Sequence, residues 1–178
     1  MLTFGIPGMT TKLEQEIEQL FRENYAMLYR TAYSMLDNAA DAEDVPQTVF
    51  LRLLRSGLPP DLQKNPKGYL YRAAVNLSLD VIRTRRRQRL ANGTDYPEIA
   101  IDTSRPFDSE DFHRHVAEVF AELPPDAAHV LILRYLHNHR EAEIAKLLNT
   151  SRGAVAMRLF RARALLKKHL RNSFGGKS

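Results

Sequence analysis

The feature that most constrains this chain is a break in its hydrophobic rhythm. Apolar residues recur at helical spacing from Lys12 to about Arg89 and again from Ser109 to about Leu170, but Ala91 to Asp108 has no period and holds Asn92-Gly93, Pro97 and Pro106 as breakers. No segment alternates as a strand does. The pattern predicts an all-α protein whose 178 residues divide into two small helical domains joined by a flexible linker. The expected limits are a disordered start over 1–10, a first domain over 11–90, the linker over 91–108 and a second domain over 109–178. Fully extended, the linker reaches roughly 60 Å.

Local signals place the helices. Thr11 and Glu14 form a capping box ahead of Leu13, Ile17, Leu20, Phe21, Leu28, Ala32 and Leu36. Asp37 and Asn38 end that helix, and Asp41-Ala-Glu-Asp44 is expected to cap a second one bearing Val49, Phe50, Leu53 and Leu54. Pro46 lacks an amide hydrogen, so this helix should start near Asp44 or bend there. Ser56 to Gly68 reads as a loop, at whose end Asn65 caps and Pro66 opens a third helix carrying Leu70, Ala73, Ala74, Leu77 and Val81. The second half predicts helices over Ser109 to Glu122, Asp126 to Leu136, Arg140 to Leu148 and Arg152 to about Leu170.

Charge is segregated along the chain. The net charge is +5 and the pI is near 9.6. Arg152 to Ser178 holds eight Lys or Arg and no acid, whereas Asp95 to Glu122 holds eight acids against Arg105 and Arg114. Nucleic acid is therefore the leading partner class. The absence of Cys excludes disulfides, thiolate zinc sites and a Cys nucleophile. With no signal-like start and no membrane-length apolar run, the chain is expected in the cytoplasm without membrane insertion.

The run EAEIAKLLNTSRGAVAMRLFRAR predicts a helix-turn-helix. Ile144, Ala145 and Leu148 form the inner side of its first helix, Asn149-Thr-Ser makes the turn, and Ser151 caps a second helix with Val155, Leu159, Ala162 and Leu166 inside. On the outer arc lie Ala154, Met157, Arg158 and Arg161, with Arg152 at the N-terminal end that reaches base edges in such modules. Arg158 and Arg161 are the expected guanine contacts, each worth ~1–3 kcal/mol of discrimination if bidentate. Lys167, Lys168 and Arg171 suit phosphates or simple solvation.

Two other function classes fit parts of the sequence. A helix-turn-helix regulator acting without polymerase accounts for the second half only. A metal-dependent enzyme is suggested by His113-Arg-His115 and His137-Asn-His139, but an i, i+2 pair on a helix points to different faces, and the second pair lies at a helix end expected to be a solvated turn. No catalytic residue, cofactor or metal site is expected.

The first half discriminates among these. DAEDVPQTVFLRLL, Asp41 to Leu54, and NPKGYLYRAAVNLSLDVIRTRRR, Asn65 to Arg87, closely resemble regions 2.2 and 2.3 to 2.4 of extracytoplasmic-function (ECF, group 4) sigma factors of the sigma-70 family. LPPDAAHVLILRYL, Leu123 to Leu136, with the helix-turn-helix resembles region 4 of the same family. The resemblance implies a sigma factor, a non-catalytic subunit that binds core RNA polymerase and directs promoter recognition and transcription initiation. By this resemblance, Asp41, Glu43, Asp44, Gln47 and Phe50 would dock on the β′ clamp helices. Tyr69, Arg72, Asn76, Arg83, Arg85, Arg86 and Arg87 would hold the opened minus-ten DNA, with Asn76 at the position that contacts a flipped base. Arg152, Ala154, Met157, Arg158 and Arg161 would face the minus-35 element, region 4 also touching the β flap, and an anti-sigma factor would clamp between the domains.

Departures from the family pattern are Pro46, where relatives have an aliphatic residue, Ala156, where many have Lys, and Tyr69, where many have Trp. A chain without Trp is expected to melt DNA weakly and to depend on near-ideal promoters. Asp95, Glu98, Asp102 and Asp108 suggest a linker that occupies the basic RNA exit path.

Overall fold

The computed structural model describes residues 11–93 and 119–174. The expected linker and most of the helix expected over Ser109 to Glu122 lie outside these residues, as do His113 and His115. Every regular element among the described residues is helical.

Four helices make the first unit: α1 (Lys12–Leu36), α2 (Ala39–Ser56), the short α3 (Pro60–Lys64) and α4 (Pro66–Ala91). Thr11 and Glu14 bond reciprocally as a capping box, and Asn65 Oδ1 accepts from the Gly68 amide to cap α4, both as the sequence predicts. The cap of α2 differs. Asn38 Oδ1 accepts from the Asp41 amide at 3.0 Å, so the helix begins at Ala39 and runs unbroken past Pro46, which is buried. An interior proline costs ~3 kcal/mol or more in isolation. Here its ring lies on the apolar side with Val45 and Val49, so tertiary burial offsets the missing amide. The expected loop after Ser56 is also partly helical, because Pro60 sits at the first position of α3 and Leu62 anchors that turn in the core.

After the helical residues 119–121, the described part of the second unit holds α5 (Pro125–Leu131), α6 (Glu141–Leu147) and α7 (Arg152–Phe174), with a π-helical stretch over Ile132–Leu136 between α5 and α6. A single helix is expected over Asp126 to Leu136. The wider turn instead lets the His137 amide bond back to Ile132 O at 3.0 Å and aims the His137 ring at the first unit. Ile144, Val155 and Leu159 are fully buried and Ala162 nearly so, which is the predicted helix-turn-helix interior. Asn149 takes positive φ in the turn, and the Ala154 amide donates to Ser151 Oγ at 3.1 Å.

The two units pack against each other along α4. α1 and α2 cover one side of this helix through Leu70, Tyr71, Ala74, Val75 and Ser78, while α5 and α6 meet the other. An apolar face on one side and a charged face on the other normally signals a solvated helix. Here the charged face is largely occupied.

Candidate nucleic-acid and polymerase interfaces

Along α4, Gly68, Arg72, Asn76, Arg83 and Arg86 follow one another at three-, four- and seven-residue steps and so share a face. Four of the residues expected to hold minus-ten DNA are on it. Asn76, Arg83 and Arg86 contact the second unit, and Arg72 acts on it through its charge. His129 Nε2 lies 2.9 Å from Asn76 Oδ1, an acceptor, so the imidazole donates. Burial lowers the His129 pKa, and the neighbouring Arg72 guanidinium pushes the same way against Asp126. Arg83 Nε donates to the Ala121 carbonyl at 2.7 Å, and Arg86 pairs with Glu122, whose carboxylate also receives His169. The other three lie apart from this contact: Arg85 pairs with Asp41 of α2, Arg87 donates to Thr84 Oγ1 at 3.2 Å, and Tyr69 is half-buried.

The residues expected to dock on polymerase separate into two groups. Glu43, Asp44 and Gln47 are exposed on one face of α2, and this face continues through Leu51 and Leu54, which are 45% and 40% exposed. Asp41 is drawn toward α4 by Arg85. Phe50, expected among the docking residues, is only 4% exposed and stands edge-on to Phe21 with ring centroids 4.8 Å apart. It supports the face from beneath. Sequence reasoning missed the α1 side of this surface, where Tyr25, Tyr29 and Tyr33 stack at 6.3 and 5.9 Å. Burial and the Glu43 carboxylate raise the Tyr25 pKa, which places that acid beside the ladder. The i, i+4 spacing of the tyrosines was the available signal.

On α7, Met157, Arg158 and Arg161 are exposed, Ala154 is half-buried, and Arg152 lies 3.9 Å from Glu141 at the start of the helix. Phe160 was missed. It is 70% exposed and adds apolar surface beside Met157. Arg163 is turned aside, donating to Tyr135 OH at 2.9 Å.

Between the units lies an open cleft of about 680 Å³, lined among others by Arg30, Lys67, His139 and Lys146. His137 also lines it. Ser34 Oγ gives its proton to Thr31 O at 2.8 Å, so at 2.7 Å it accepts from His137 Nε2; Tyr71 OH donates to Nδ1 at 2.6 Å. These partners define a neutral imidazole, and burial, with His139 adding to it, brings its pKa down to about 4. The His137-Asn-His139 segment is thus an interface between the units instead of the solvated turn expected. Among the described residues no group of side chains is arranged to hold a metal ion, and no helix is long and apolar enough to cross a membrane.

A helical unit with an Arg- and Asn-bearing face, joined in one chain to a helix-turn-helix, defines a two-part DNA-binding protein. Comparison with known proteins sharpens this class. Residues 20–88 match the model for sigma-70 region 2 and residues 113–166 the model for sigma-70, region 4. The chain is 30% identical over 156 residues to the ECF RNA polymerase sigma factor SigW of Bacillus subtilis, covering 82% of this chain and 83% of that one. It is 31% identical over 158 residues to SigE of Mycolicibacterium smegmatis, covering 86% of this chain and 61% of the relative. Among solved structures it resembles CnrH in complex with the cytosolic domain of CnrY, at 24% identity, 88% coverage of each chain and a TM-score of 0.47. The chain belongs to the ECF RNA polymerase sigma factors of the sigma-70 family.

Proposed function

We infer that this chain binds core RNA polymerase and directs it to promoters, acting as a non-catalytic subunit in the cytoplasm. The observation that carries the reading is the presence, in one chain and in family order, of both regional matches together with the polar faces of α4 and α7. The division proposed is region 2 over 11–90, a linker over 91–108 and region 4 over 109–178.

In this reading the exposed Glu43, Asp44 and Gln47 face a basic coiled coil of the β′ subunit, charge complementarity setting orientation and association rate. The α4 face takes the unpaired minus-ten strand, Asn76 offering donor and acceptor to a base edge and the arginines neutralising phosphates. The outer face of α7 enters the major groove of the minus-35 duplex. Restraint by an anti-sigma protein is proposed on family resemblance alone.

Reconstitution with core polymerase on a genomic DNA library, reading transcript starts, tests the proposal. Starts should follow a shared pair of sequence elements. Replacement of Asn76 with Ala should reduce open-complex formation while leaving core binding intact. Failure of the chain to associate with core polymerase would overturn the reading in favour of an ordinary DNA-binding regulator.

A further inference from the structure

The cleft between the units gathers positive charge that the described residues leave uncompensated. Arg30 of α1, Lys67 of α4 and Lys146 of α6 all line it, and none of these side chains forms an ion pair among the described residues. Glu143 is the one acid among the described lining residues, and its carboxylate is already engaged: it accepts from the Arg140 amide at 2.6 Å and stands 3.7 Å from His139 Nδ1. Lys67 is the least expected of the cations. It is the second residue of α4, whose first turn holds no acid, and a helix N-terminus carries partial positive charge that disfavours a cation there. Pro66 has no amide hydrogen and Asn65 Oδ1 takes the Gly68 amide, so among the described residues the Lys67 N–H is the unclaimed donor of that turn. Thr31 of α1 is a second, independent sign. It is 6% exposed and lines the cleft, yet its hydroxyl bonds to no described residue. No buried side-chain oxygen among the described residues is sealed off without a partner, so the Thr31 hydroxyl opens on the cleft.

We propose that this cleft binds an oligophosphate group, carried by a nucleotide or free. Phosphate oxygens are acceptors only, and the unclaimed groups here are donors: two ammonium groups, a guanidinium, a helix-end amide and a hydroxyl. Three fixed cations from three helices, added to the positive end of α4, suit several negative charges in a row better than one. Size points the same way. A single phosphate would fill a small part of the 680 Å³, which falls within the roughly 300–1,000 Å³ typical of small-molecule sites. Met27 and Leu147 add apolar wall for an uncharged portion of the ligand. Asn65 keeps the cations of α4 and α6 together, its Nδ2 donating to the carbonyls of Lys146 and Leu147 at 3.3 and 3.2 Å. None of the residues assigned above to polymerase or promoter DNA belongs to this set.

Isothermal titration calorimetry of the full-length chain with inorganic triphosphate, at about 0.15 M salt to screen diffuse attraction, tests the proposal. Binding should saturate at one ligand per chain. Lys67→Gln combined with Lys146→Gln should weaken it by about tenfold or more. Arg52→Gln combined with Arg55→Gln removes the same charge from exposed positions of α2 and should change affinity by less than about twofold. Thr31→Val keeps the shape of the side chain without its hydroxyl and should weaken binding by about threefold or more. Equal weakening in the two charge-reduced variants would mean attraction to a basic protein at large and would overturn the proposal; so would the absence of saturable binding to the unaltered chain. Adenosine triphosphate used in place of the inorganic ion separates the two sources: tighter binding assigns the site to a nucleotide, and equal or weaker binding to the phosphate chain alone.

Discussion

The side-chain amide of Asn65 reaches 3.2 Å to the main-chain carbonyl of Leu147, and its own Oδ1 accepts from the Gly68 amide. One side chain thus serves the N-terminus of α4 and the C-terminus of α6, two helix ends that would otherwise leave unsatisfied groups. The approach works because position 68 has no side chain. A Cβ there would lie 2.0 Å from Leu147 O and 2.4 Å from Asn65 Nδ2.

Gly68→Ala should therefore separate the units. Alanine favours the helix by ~1 kcal/mol over glycine, so α4 itself has no reason to melt. The expected result is a larger radius of gyration by small-angle scattering with nearly unchanged helical circular dichroism. An unaltered scattering profile would show that the Leu147 contact is dispensable.

Closure should also weaken in acid. His137 titrates near 4 in the closed form and near 6.5 when free, so the open form binds more protons between these values. The histidine's contribution is complete above about pH 6.5 and is lost as pH falls toward 4, about 3 kcal/mol at most. Around the ring are Tyr71 of α4, Ser34 of α1 and His139, with Arg30, Lys67, Lys146 and Glu143 lining the same cleft. Burial lowers the His129 pKa too, so that residue acts in the same sense. Interdomain distances recorded from pH 7 to pH 5 should lengthen in the unaltered sequence and respond less steeply in His137→Gln.

The carboxylates of α2 should divide by role. Glu43→Lys or Asp44→Lys reverses an exposed charge and should weaken core-polymerase association at least tenfold with a change in melting within about 0.5 kcal/mol. Asp41→Ala removes the partner of Arg85 and should lower thermal stability. Equal effects of all three on core affinity, with no difference in melting, would refute this division.

On α7 the fully buried Leu159 and the exposed Arg158 are neighbours with opposite expected effects. Leu159→Ala should cost ~2–5 kcal/mol of stability through the cavity left behind. Arg158→Ala should leave folding intact and reduce discrimination among minus-35 duplexes by about 1–3 kcal/mol. Thermal melts and competition binding separate the two.

What could be seen in the sequence follows the range of the forces involved. The caps at Thr11, Asn65 and Ser151 join residues three apart, and the inner stripe of α7 repeats at helical spacing, so both were legible. The cap of α2 was misassigned because Asn38 and Asp41 are both good capping residues, and only backbone geometry chooses between them. Phe50 beneath the acidic face depends on Phe21 of α1, and Pro46 inside a helix depends on tertiary burial. The pairing of Arg86 with Glu122 had no local signal at all. An arginine that meets DNA and one that meets another helix of its own chain look alike until the chain is folded.

Because Glu122 and Arg86 belong to one polypeptide, their encounter is first order. Dilution leaves it unaltered, whereas a free strand competes only in proportion to its own concentration. A tether of this kind sets a local concentration on the order of millimolar. A free anion must exceed that threshold to take Arg86 from Glu122. The strength of this pair is thereby a matter of covalent connectivity as much as of charge.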